Sequence, residues 1–515
     1  MSDSRRGILG AAGLLAGSVL LARVLGFVRD ALFATQVGVG SAGDAYFAAF
    51  MIPDMLGYFM AAGAAAIAVT PPYLRRLERE GPEVAAQFAS TVVGNVGVFA
   101  VAATIALWFF AEPLLRLQFD QFDDATITQT VRLMRIVLPA QIFFLTGGIL
   151  RGVLMAHGRF GPQAAASVVY SAMPIVGGLI LAGAEGFAWG TLVGAVIGQW
   201  AIPVLALRRL PGAVGRIRIN PFDMDFREYV WLALPLMLGL GLATVDEWYE
   251  KWFGGQLQAG AIAAITYARK LMMAPVAVVG QAVGAALLPT LTMLFQREDR
   301  DGFEQTLTTT LRATLGLGIL AGGALAVFRF SIIELLYEHG RFSSANTNEV
   351  AGLLLILAIA VPGWVVQQVA VRGFYARGEM WRAMTLSTIV ALSVFPLYAW
   401  GARAEGLRGL AMASALAISL NAGITLGWLR VRTGAPNLLL LAETLGRTAL
   451  VTSLAAGGAS CLLHWLGDRV EAPIVALLLG GSLYALATIM GIALLGDAPL
   501  RDALAAVVRR LRASR

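Results

Sequence analysis

The feature that most constrains the fold of this chain is a succession of apolar segments long enough to cross a lipid bilayer. A transmembrane helix needs about 20 predominantly apolar residues. Segments of that kind occupy residues 7–34, 44–70, 87–111, 127–150, 161–183, 187–207, 228–253, 259–294, 303–328, 346–371, 383–401, 408–429, 439–464 and 472–495. Lipid offers the backbone no hydrogen-bond partners and no barrel-like alternation is visible, so each segment is predicted to be a helix.

Composition points to the same class of protein. Hydrophobic residues make up 58% of the 515 residues and charged residues 14%, whereas soluble domains carry roughly 25% charged residues. The first apolar run follows Arg5 and Arg6 but continues to Ala34 without a small-residue cleavage site, so we interpret it as a retained span and not as a signal peptide. A lone Cys461 excludes a disulfide framework and a cysteine metal site.

Basic residues alternate between the segments that join the spans. If the N-terminus is cytoplasmic, alternate loops should be rich in Arg. The loops then assigned to the inside hold most of the 39 Arg and Lys residues, and the outside loops hold few. This bias predicts about fourteen transmembrane helices with both termini in the cytoplasm, and it explains the net charge of +7 without nucleic-acid binding.

The chain also looks internally duplicated. Residues 267–275 (YARKLMMAP) resemble residues 45–53 (AYFAAFMIP), and residues 372–378 (RGFYARG) resemble residues 151–158 (RGVLMAHG). Repeated halves with a site at their interface are a common transporter design. We therefore predict an all-α polytopic fold with two six-helix lobes and two further helices. Its parts are an N-lobe at 1–209, a cytoplasmic linker at 210–227, a C-lobe at 228–432, helices 13 and 14 at 433–497 and a basic amphipathic tail at 498–515.

Charged residues inside the first span are the first functional candidates. A central Arg or Asp costs roughly 2.5–3.5 kcal/mol to insert. Helical spacing places Arg23 and Asp30 within roughly 20° of each other and Arg29 about 120° from Arg23. One interpretation is a cationic wall that binds phosphate. The other is an Arg–Asp structural pair, with Arg29 extending towards the membrane surface.

Further charges lie in the second, seventh and eighth spans. Asp44 opens the second span, where it could cap the helix. Asp246 and Glu247 lie in the seventh, where Asp246 could bind a cation or pair with an Arg. Arg269 and Lys270 are adjacent in the eighth. Cations in both halves predict a central cavity for an anionic head group, open to one side at a time.

A family resemblance accompanies these patterns. Residues 22–30 (ARVLGFVRD), with Gly38, Gly40, Asp44-Ala45 and Ile52-Pro53 after them, resemble the opening of the MurJ (MviN) lipid II flippases of the MOP (multidrug/oligosaccharidyl-lipid/polysaccharide) exporter superfamily. Residues 267–275, 287–289, 340–342 and 372–378 match further motifs in the same order.

The resemblance implies that undecaprenyl-diphosphate-linked peptidoglycan precursor (lipid II) is moved outward across the bacterial cytoplasmic (inner) membrane. It implies substrate-binding roles for Arg23, Arg29, Asp44 and Lys270, and Arg269 stands beside Lys270. The expected partners are the lipid-linked diphosphate glycan, membrane lipids and cell-wall synthesis proteins, with no nucleic acid. Asp30, Asp246 and Glu247 are candidates for a coupling-ion site or for ion pairs. No metal site or cofactor is expected, apart from a monovalent cation as a weaker alternative.

The sequence also departs from the family pattern. The family has arginines and a glutamate where this chain has Gly57, Tyr58 and Ala62, which leaves open a flippase for another polyprenyl-linked oligosaccharide. Some members bind sodium through acids in the seventh and eleventh helices, but residues 383–401 contain no Asp, Glu or Asn.

Three other functions remain as alternatives. A cation-coupled exporter of small molecules would tolerate an apolar cavity with acids, whereas this chain offers cations. A membrane glycosyltransferase needs catalytic acids, and Asp120, Asp123 and Asp124 are better explained as solvated loop residues. A scaffold without transport activity is the third alternative. No HExxH, GxSxG or GxxxxGK[ST] motif occurs, so we do not expect an enzyme.

Overall fold

A computed structural model of the chain describes residues 2–60, 65–210, 212–238, 241–466 and 472–513. These residues form α-helices joined by short turns, with one π-helical turn and no strand among them. They divide into two compact units. Unit 1 contains Met1–Leu238 and Gly340–Phe342, and unit 2 contains Gly239–His339 and Ser343–Arg515. The predicted lobe, linker and tail boundaries stay predictions.

Unit 1 is built around a buried cluster from its fourth, fifth and eighth helices. Tyr73, Phe88, Val92, Ile149 and Val153 are fully buried there. Its helices are α1 (Ser2–Gln36), α2 (Ser41–Ala49), α3 (Met51–Phe59), α4 (Ala65–Arg79), α5 (Pro82–Phe109), α6 (Ala111–Gln118), α7 (Asp124–Val137), α8 (Ala140–Ala156), α9 (Gly161–Ile180), α10 (Ala184–Gly194), the π-helical turn Ala195–Ala201, α11 (Ile202–Leu207) and α12 (Met224–Leu238).

Unit 2 has longer helices and several smaller buried clusters. Leu307, Leu311, Val369, Phe374 and Leu429 belong to one of these. Its helices are α13 (Leu242–Gly254), α14 (Ala261–Gln296), α15 (Arg300–Tyr337), α16 (Ser344–Ala358), α17 (Val361–Ala376), α18 (Met380–Ser393), α19 (Phe395–Thr433), α20 (Leu438–Leu466), α21 (Pro473–Leu495) and α22 (Ala498–Ala513).

The helices confirm the predicted polytopic membrane fold. Among the described residues, nine helical segments are long and apolar enough to cross a membrane, and a tenth is obtained if the bent pair α16–α17 counts as one span. One of the nine, Met380–Thr433, covers two predicted spans. The first predicted span is α1. The second and seventh include residues 61–64 and 239–240, which lie outside the described part.

The two predicted spans within Met380–Thr433 are separated by a reversal at Gly406. This residue has φ 56° and ψ −130°, a backbone conformation that only glycine adopts without strain. The two limbs pack closely beside it, because a Cβ added at Gly409 would lie 2.0 Å from the carbonyl oxygen of Gly401. At this reversal the chain folds back, so that the two limbs of α19, residues 395–405 and 407–433, pack against each other.

Equivalent turns end one helix in each unit. After α8, Gly158 has φ 67°, and the N–H of Arg159 donates to Leu154 O at 2.9 Å. After α17, Gly378 has φ 72°, and the N–H of Glu379 donates to Phe374 O at 3.0 Å. Both turns satisfy carbonyls at a helix end in the same way. The matching geometry agrees with the duplication seen in the sequence.

The C-terminal helix α22 is anchored to unit 2. Leu500 is buried against Leu320 and Val451, and the N–H of Leu500 donates to Asp497 Oδ1 at 3.2 Å. The guanidinium of Arg312 lies 3.0 Å from Asp497. The first turn thus packs on protein. Of the other large apolar residues of α22, Leu504 is partly buried, and the side chains of Val507, Val508 and Leu511 lie outside the described part.

Candidate functional site

The first predicted cations lie on α1 in unit 1. The guanidinium of Arg29 donates from Nε and Nη2 to Asp30 Oδ1 at 3.0 and 2.9 Å. The Asp30 side chain is 8% exposed and that of Arg29 31%. Asp30 therefore pairs with its neighbour in the chain, and Arg29 keeps part of its guanidinium accessible.

The placement of Arg23 and Asp30 on one face of the helix stays a prediction. The ion pair described for Asp30 joins it to Arg29. A long Arg side chain can fold back onto a neighbouring carboxylate, which spacing between Cα atoms does not capture. Arg23 lies one to two turns earlier and is half-buried.

Asp44 does not cap its helix, contrary to one interpretation of the sequence. Helix α2 begins at Ser41, its N-cap is Gly40, and no side chain caps it. Asp44 is buried within the first turn, where the helix dipole favours a negative charge. Gly57 is buried on α3 and Tyr58 is half-buried, while Ala62 lies outside the described residues.

The charged cluster in unit 2 is more deeply buried. Helix α13 presents Asp246 and Glu250 on one face, because residues four apart are neighbours on a helix. Arg269 on α14 lies between them: Nη2 donates to Asp246 Oδ2 at 2.5 Å and Nε to Glu250 Oε2 at 2.5 Å. The side chains of Asp246, Glu250 and Arg269 are 0%, 2% and 8% exposed. We call these three residues the triad.

Two hydroxyl groups from α19 complete the surroundings of Asp246. Tyr398 Oη donates to Asp246 Oδ1, and Ser414 Oγ donates to Asp246 Oδ2 at 3.2 Å. They come from opposite sides of the reversal at Gly406, so the folding of α19 brings both to one carboxylate. The guanidinium of Arg269 also lies 5.7 Å from the centre of the Trp364 ring.

Glu247 and Lys270 are the remaining predicted residues on α13 and α14. Glu247 Oε1 lies 2.9 Å from Lys251 Nζ, one turn further along α13. Lys270 is half-buried, with its Nζ 6.0 Å from the centre of the Tyr267 ring. Of the predicted residues, the structure thus joins Arg29 to Asp30 and Arg269 to Asp246. The substrate-binding roles of Arg23, Arg29, Asp44, Arg269 and Lys270 stay predictions.

Sequence reasoning missed most of the surroundings of the triad. Glu250 has a detectable signal, because it follows Asp246 by four residues and so shares its face. Tyr398 and Ser414 lie more than a hundred residues along the chain in apolar runs rich in similar side chains. Their convergence depends on the packing of α13 against α19.

The residues present do not fit the sodium site that the resemblance implies for some members. Sodium favours several oxygen ligands that carry no competing positive charge. Here the guanidinium of Arg269 bonds Asp246 directly, and the eleventh predicted span contributes Tyr398, a donor, in place of an acid. Within the described part of the chain, no group of three or more His, Cys, Asp and Glu side chains could hold a metal ion.

The fold defines the class of protein. A solved structure described as "Lipid II flippase MurJ, inward closed conformation" superposes with a TM-score of 0.78 and 21% identity, covering 93% of this chain and 99% of that one. An inward-facing multidrug resistance MATE transporter of the MOP superfamily has a TM-score of 0.69 and 16% identity, covering 80% of this chain and 94% of that one. At these identities the likeness shows the fold alone, that of a polytopic α-helical membrane protein.

Sequence comparison then identifies the family. The family model described as "Lipid II flippase MurJ" matches residues 33–469, and this chain belongs to that family. A probable lipid II flippase MurJ of Rhizobium tropici is 28% identical over 424 residues, which are 79% of this chain and 78% of the relative. The lipid II flippase MurJ of Burkholderia cenocepacia is 25% identical over 392 residues, covering 71% and 73%.

Proposed function

We propose that this protein is a lipid II flippase. It would carry the undecaprenyl-diphosphate-linked peptidoglycan precursor from the cytoplasmic to the outer leaflet, by alternating access around a cationic central cavity. The observation that carries the proposal is the match to the lipid II flippase family over residues 33–469. Cations within the apolar helices of both units support it. A charge costs free energy to place in a membrane, and the charges found there usually have a function.

Arg29 is suited to hold a diphosphate. Its contact with Asp30 uses Nε and Nη2, which leaves Nη1 able to donate elsewhere. Its side chain is partly accessible, and a guanidinium offers paired donors that match phosphate oxygens. Asp30 would orient the guanidinium, and Arg23 would add a second positive charge on the same helix.

Lys270 is the corresponding candidate in unit 2. Its half-buried ammonium is a compact charge that suits phosphate without fixing its orientation. Arg269 next to it has its guanidinium bonded to two carboxylates. The contacts of Arg269 therefore favour an internal role over a direct contact with substrate.

We propose transport without covalent catalysis. The two acids at the start of α7 have ordinary roles, since Asp123 accepts a hydrogen bond from Thr126 N at 3.2 Å and Asp124 lies 2.8 Å from Arg116. We also propose an inner-membrane location with both termini cytoplasmic. Lipid II, the surrounding lipids and cell-wall synthesis proteins are the proposed partners.

Complementation tests this function. A bacterial strain depleted of its own lipid II flippase would express wild type, Arg29→Ala or Lys270→Ala. We expect wild type to restore growth and both variants to fail at equal membrane abundance, because each removes a charge assigned to the diphosphate. Arg116→Ala is the matched control, since Arg116 pairs with Glu112 and Asp124 in an exposed position, and it should restore growth.

The outcomes separate the alternatives. Growth with both Arg29→Ala and Lys270→Ala would remove the cationic-site argument. Failure of wild type, with lipid II still made and retained inside, would favour a flippase for another polyprenyl-linked oligosaccharide, the alternative that Gly57 leaves open. Lost synthesis of a lipid-linked glycan on deletion of this protein, in place of an accumulated precursor, would indicate an enzyme.

A further inference from the structure

A cavity of about 520 Å³ opens on the surface of unit 1, between the end of α5, helix α7 and helix α10. Two exposed tryptophans, Trp108 on α5 and Trp189 on α10, line it together with Arg132 and Arg135 of α7. Trp and Arg side chains near the ends of transmembrane helices are typical of the level of the lipid head groups. The lining therefore suits a position where the membrane changes from head group to hydrocarbon.

The sequence after Arg135 supports this level. Arg135 is the last charged residue before the fifteen residues 136–150, none of which is charged. At about 1.5 Å per residue they extend over roughly 22 Å, which is most of a hydrocarbon core of about 30 Å. Arg135 thus lies at one boundary of the core, within reach of lipid phosphates.

The guanidinium of Arg135 has donors that no described residue uses. Its Nε donates to the carbonyl oxygen of Trp108 at 3.2 Å, and its Cζ lies over the Trp108 ring, 4.6 Å from the ring centre. These contacts hold the side chain at the cavity and leave both Nη groups able to donate. A guanidinium with two such donors matches the oxygens of a phosphate group.

The other charged groups at the cavity are paired. Arg132 Nη2 lies 2.8 Å from Glu185 Oε2. Glu112 also lines the cavity, and its Oε1 lies 3.0 Å from Arg116 Nε, one turn along α6. Glu112 Oε2 accepts no hydrogen bond from the described part of the chain. The cavity therefore offers donors at Arg135 and an acceptor at Glu112, which is complementary to a phosphate with an amino group beside it.

Exposed apolar side chains lead from the cavity towards the hydrocarbon. On α5, Ile105 and Val101 precede Trp108 by three and seven residues and so share its face. On α10, Val193 follows Trp189 by four residues and lies on the same face. Ile105, Val101 and Val193 are all exposed. These two stripes suit acyl chains, whereas a phosphate ion from solution would not cover them.

We propose that this cavity binds one phospholipid with an amino head group, and that Arg135 binds its phosphate. Both Nη groups of Arg135 donate to phosphate oxygens, Glu112 accepts a hydrogen bond from the ammonium, and the acyl chains lie along the two apolar stripes. The transported diphosphate is assigned to Arg29 and Lys270, so this site is a separate one. Every lining residue belongs to unit 1, and the proposal does not depend on the proposed function.

Native mass spectrometry of the purified full-length protein tests the site. Phosphatidylethanolamine, phosphatidylcholine and phosphatidylglycerol would be added in turn, and the Kd of the first bound lipid measured. Wild type should bind phosphatidylethanolamine most tightly, because phosphatidylcholine offers no N–H to Glu112 and phosphatidylglycerol offers no cation. Arg135→Gln should weaken this binding about tenfold, as expected for the loss of charge-assisted hydrogen bonds.

Three further variants make the test specific. Arg329→Gln is the matched control, because Arg329 of unit 2 also lies 4.6 Å from the centre of an aromatic ring, that of Phe330; it should bind phosphatidylethanolamine as wild type does. Arg135→Lys keeps the charge and should bind more tightly than Arg135→Gln, which separates a lost contact from a folding defect. Glu112→Gln should reduce the affinity for phosphatidylethanolamine to that for phosphatidylcholine.

Four results would overturn the proposal. Equal affinity for the three lipids, unchanged in Arg135→Gln, would indicate non-specific annular lipid. A preference for phosphatidylglycerol would exclude the amino head group. Equal weakening by Arg329→Gln and Arg135→Gln would indicate a general effect of surface charge. Undecaprenyl diphosphate that binds more tightly than phosphatidylethanolamine, and loses this affinity in Arg135→Gln, would assign Arg135 to the transported lipid.

Discussion

Arg29 and Arg269 are both arginines within apolar helices, yet their surroundings differ. Arg29 pairs with the carboxylate next to it in the chain and remains 31% exposed. Arg269 is 8% exposed and is bonded to two carboxylates from another helix. The first arrangement leaves donors for a ligand, and the second uses them within the protein. Position in an apolar helix is therefore not enough to assign a substrate-binding role, because the carboxylates nearby decide which donors remain.

Substitution of Arg29 and of Arg269 should have the largest effects on the unfolding free energy, and these two effects should differ strongly from each other. Arg269→Met leaves two buried carboxylates without their cation, and we expect a loss of about 3–5 kcal/mol in unfolding free energy. Arg29 is itself 31% exposed and pairs with one carboxylate, so Arg29→Met should cost less, about 1 kcal/mol. Thermal unfolding of both purified variants in one detergent measures the difference. Equal destabilisation would contradict the comparison.

Substitution of the two acids of the triad should also change the unfolding free energy by different amounts. Asp246 accepts hydrogen bonds from three groups, so Asp246→Asn should cost about 2–3 kcal/mol through weakened charge-assisted bonds. Glu250 accepts one described hydrogen bond, from Arg269 Nε, so Glu250→Gln should cost less, about 1 kcal/mol. The same unfolding measurement applies. A larger loss in Glu250→Gln than in Asp246→Asn would contradict this comparison of the two acids.

The smallest expected effect concerns the matching turns after α8 and α17. Burial and the charge of Arg159 lower the pKa of His157, which lies 2.9 Å from the Tyr73 hydroxyl. Burial alone would raise the pKa of Glu379, but nearby guanidiniums, among them Arg377, lower it. A lowered pKa means that the unfolded state binds the proton more readily, so acidification destabilises both turns in different pH windows.

Hydrogen exchange of the backbone amides, measured as a function of pH, distinguishes the two pH windows. Below the usual histidine pKa of about 6.5, protection of the turn at His157 should fall by less than about 1 kcal/mol, while the turn at Glu379 should respond only below about pH 4.3. His157→Gln should remove the first response and leave the second. A simultaneous loss in both turns near pH 6 would contradict this assignment.

Much of the fold could be predicted from the sequence, because lipid restricts the backbone to helices and apolar runs mark them. The predicted spans fall on helices, although 127–150 and 346–371 are each divided between two helices, and Gly158 and Gly378 signal repeated turns. Contacts between side chains were harder to predict from the sequence than the helices. Arg29 bonds Asp30 through the flexibility of its side chain, and Tyr398 and Ser414 meet Asp246 through tertiary packing. Neither side-chain flexibility nor tertiary packing produces a periodic pattern of residues in the sequence.

The reversal at Gly406 has a consequence for variation in this chain. Tyr398 lies eight residues before it and Ser414 eight residues after it, so each hydroxyl lies roughly 12 Å along its own limb at about 1.5 Å per residue. One residue inserted between Gly406 and Ser414 would turn the second limb by about 100° and carry the serine away from Asp246. The number of residues between Gly406 and Ser414 therefore determines whether Ser414 can reach Asp246. Natural variants should change the residue types in this segment more readily than its length.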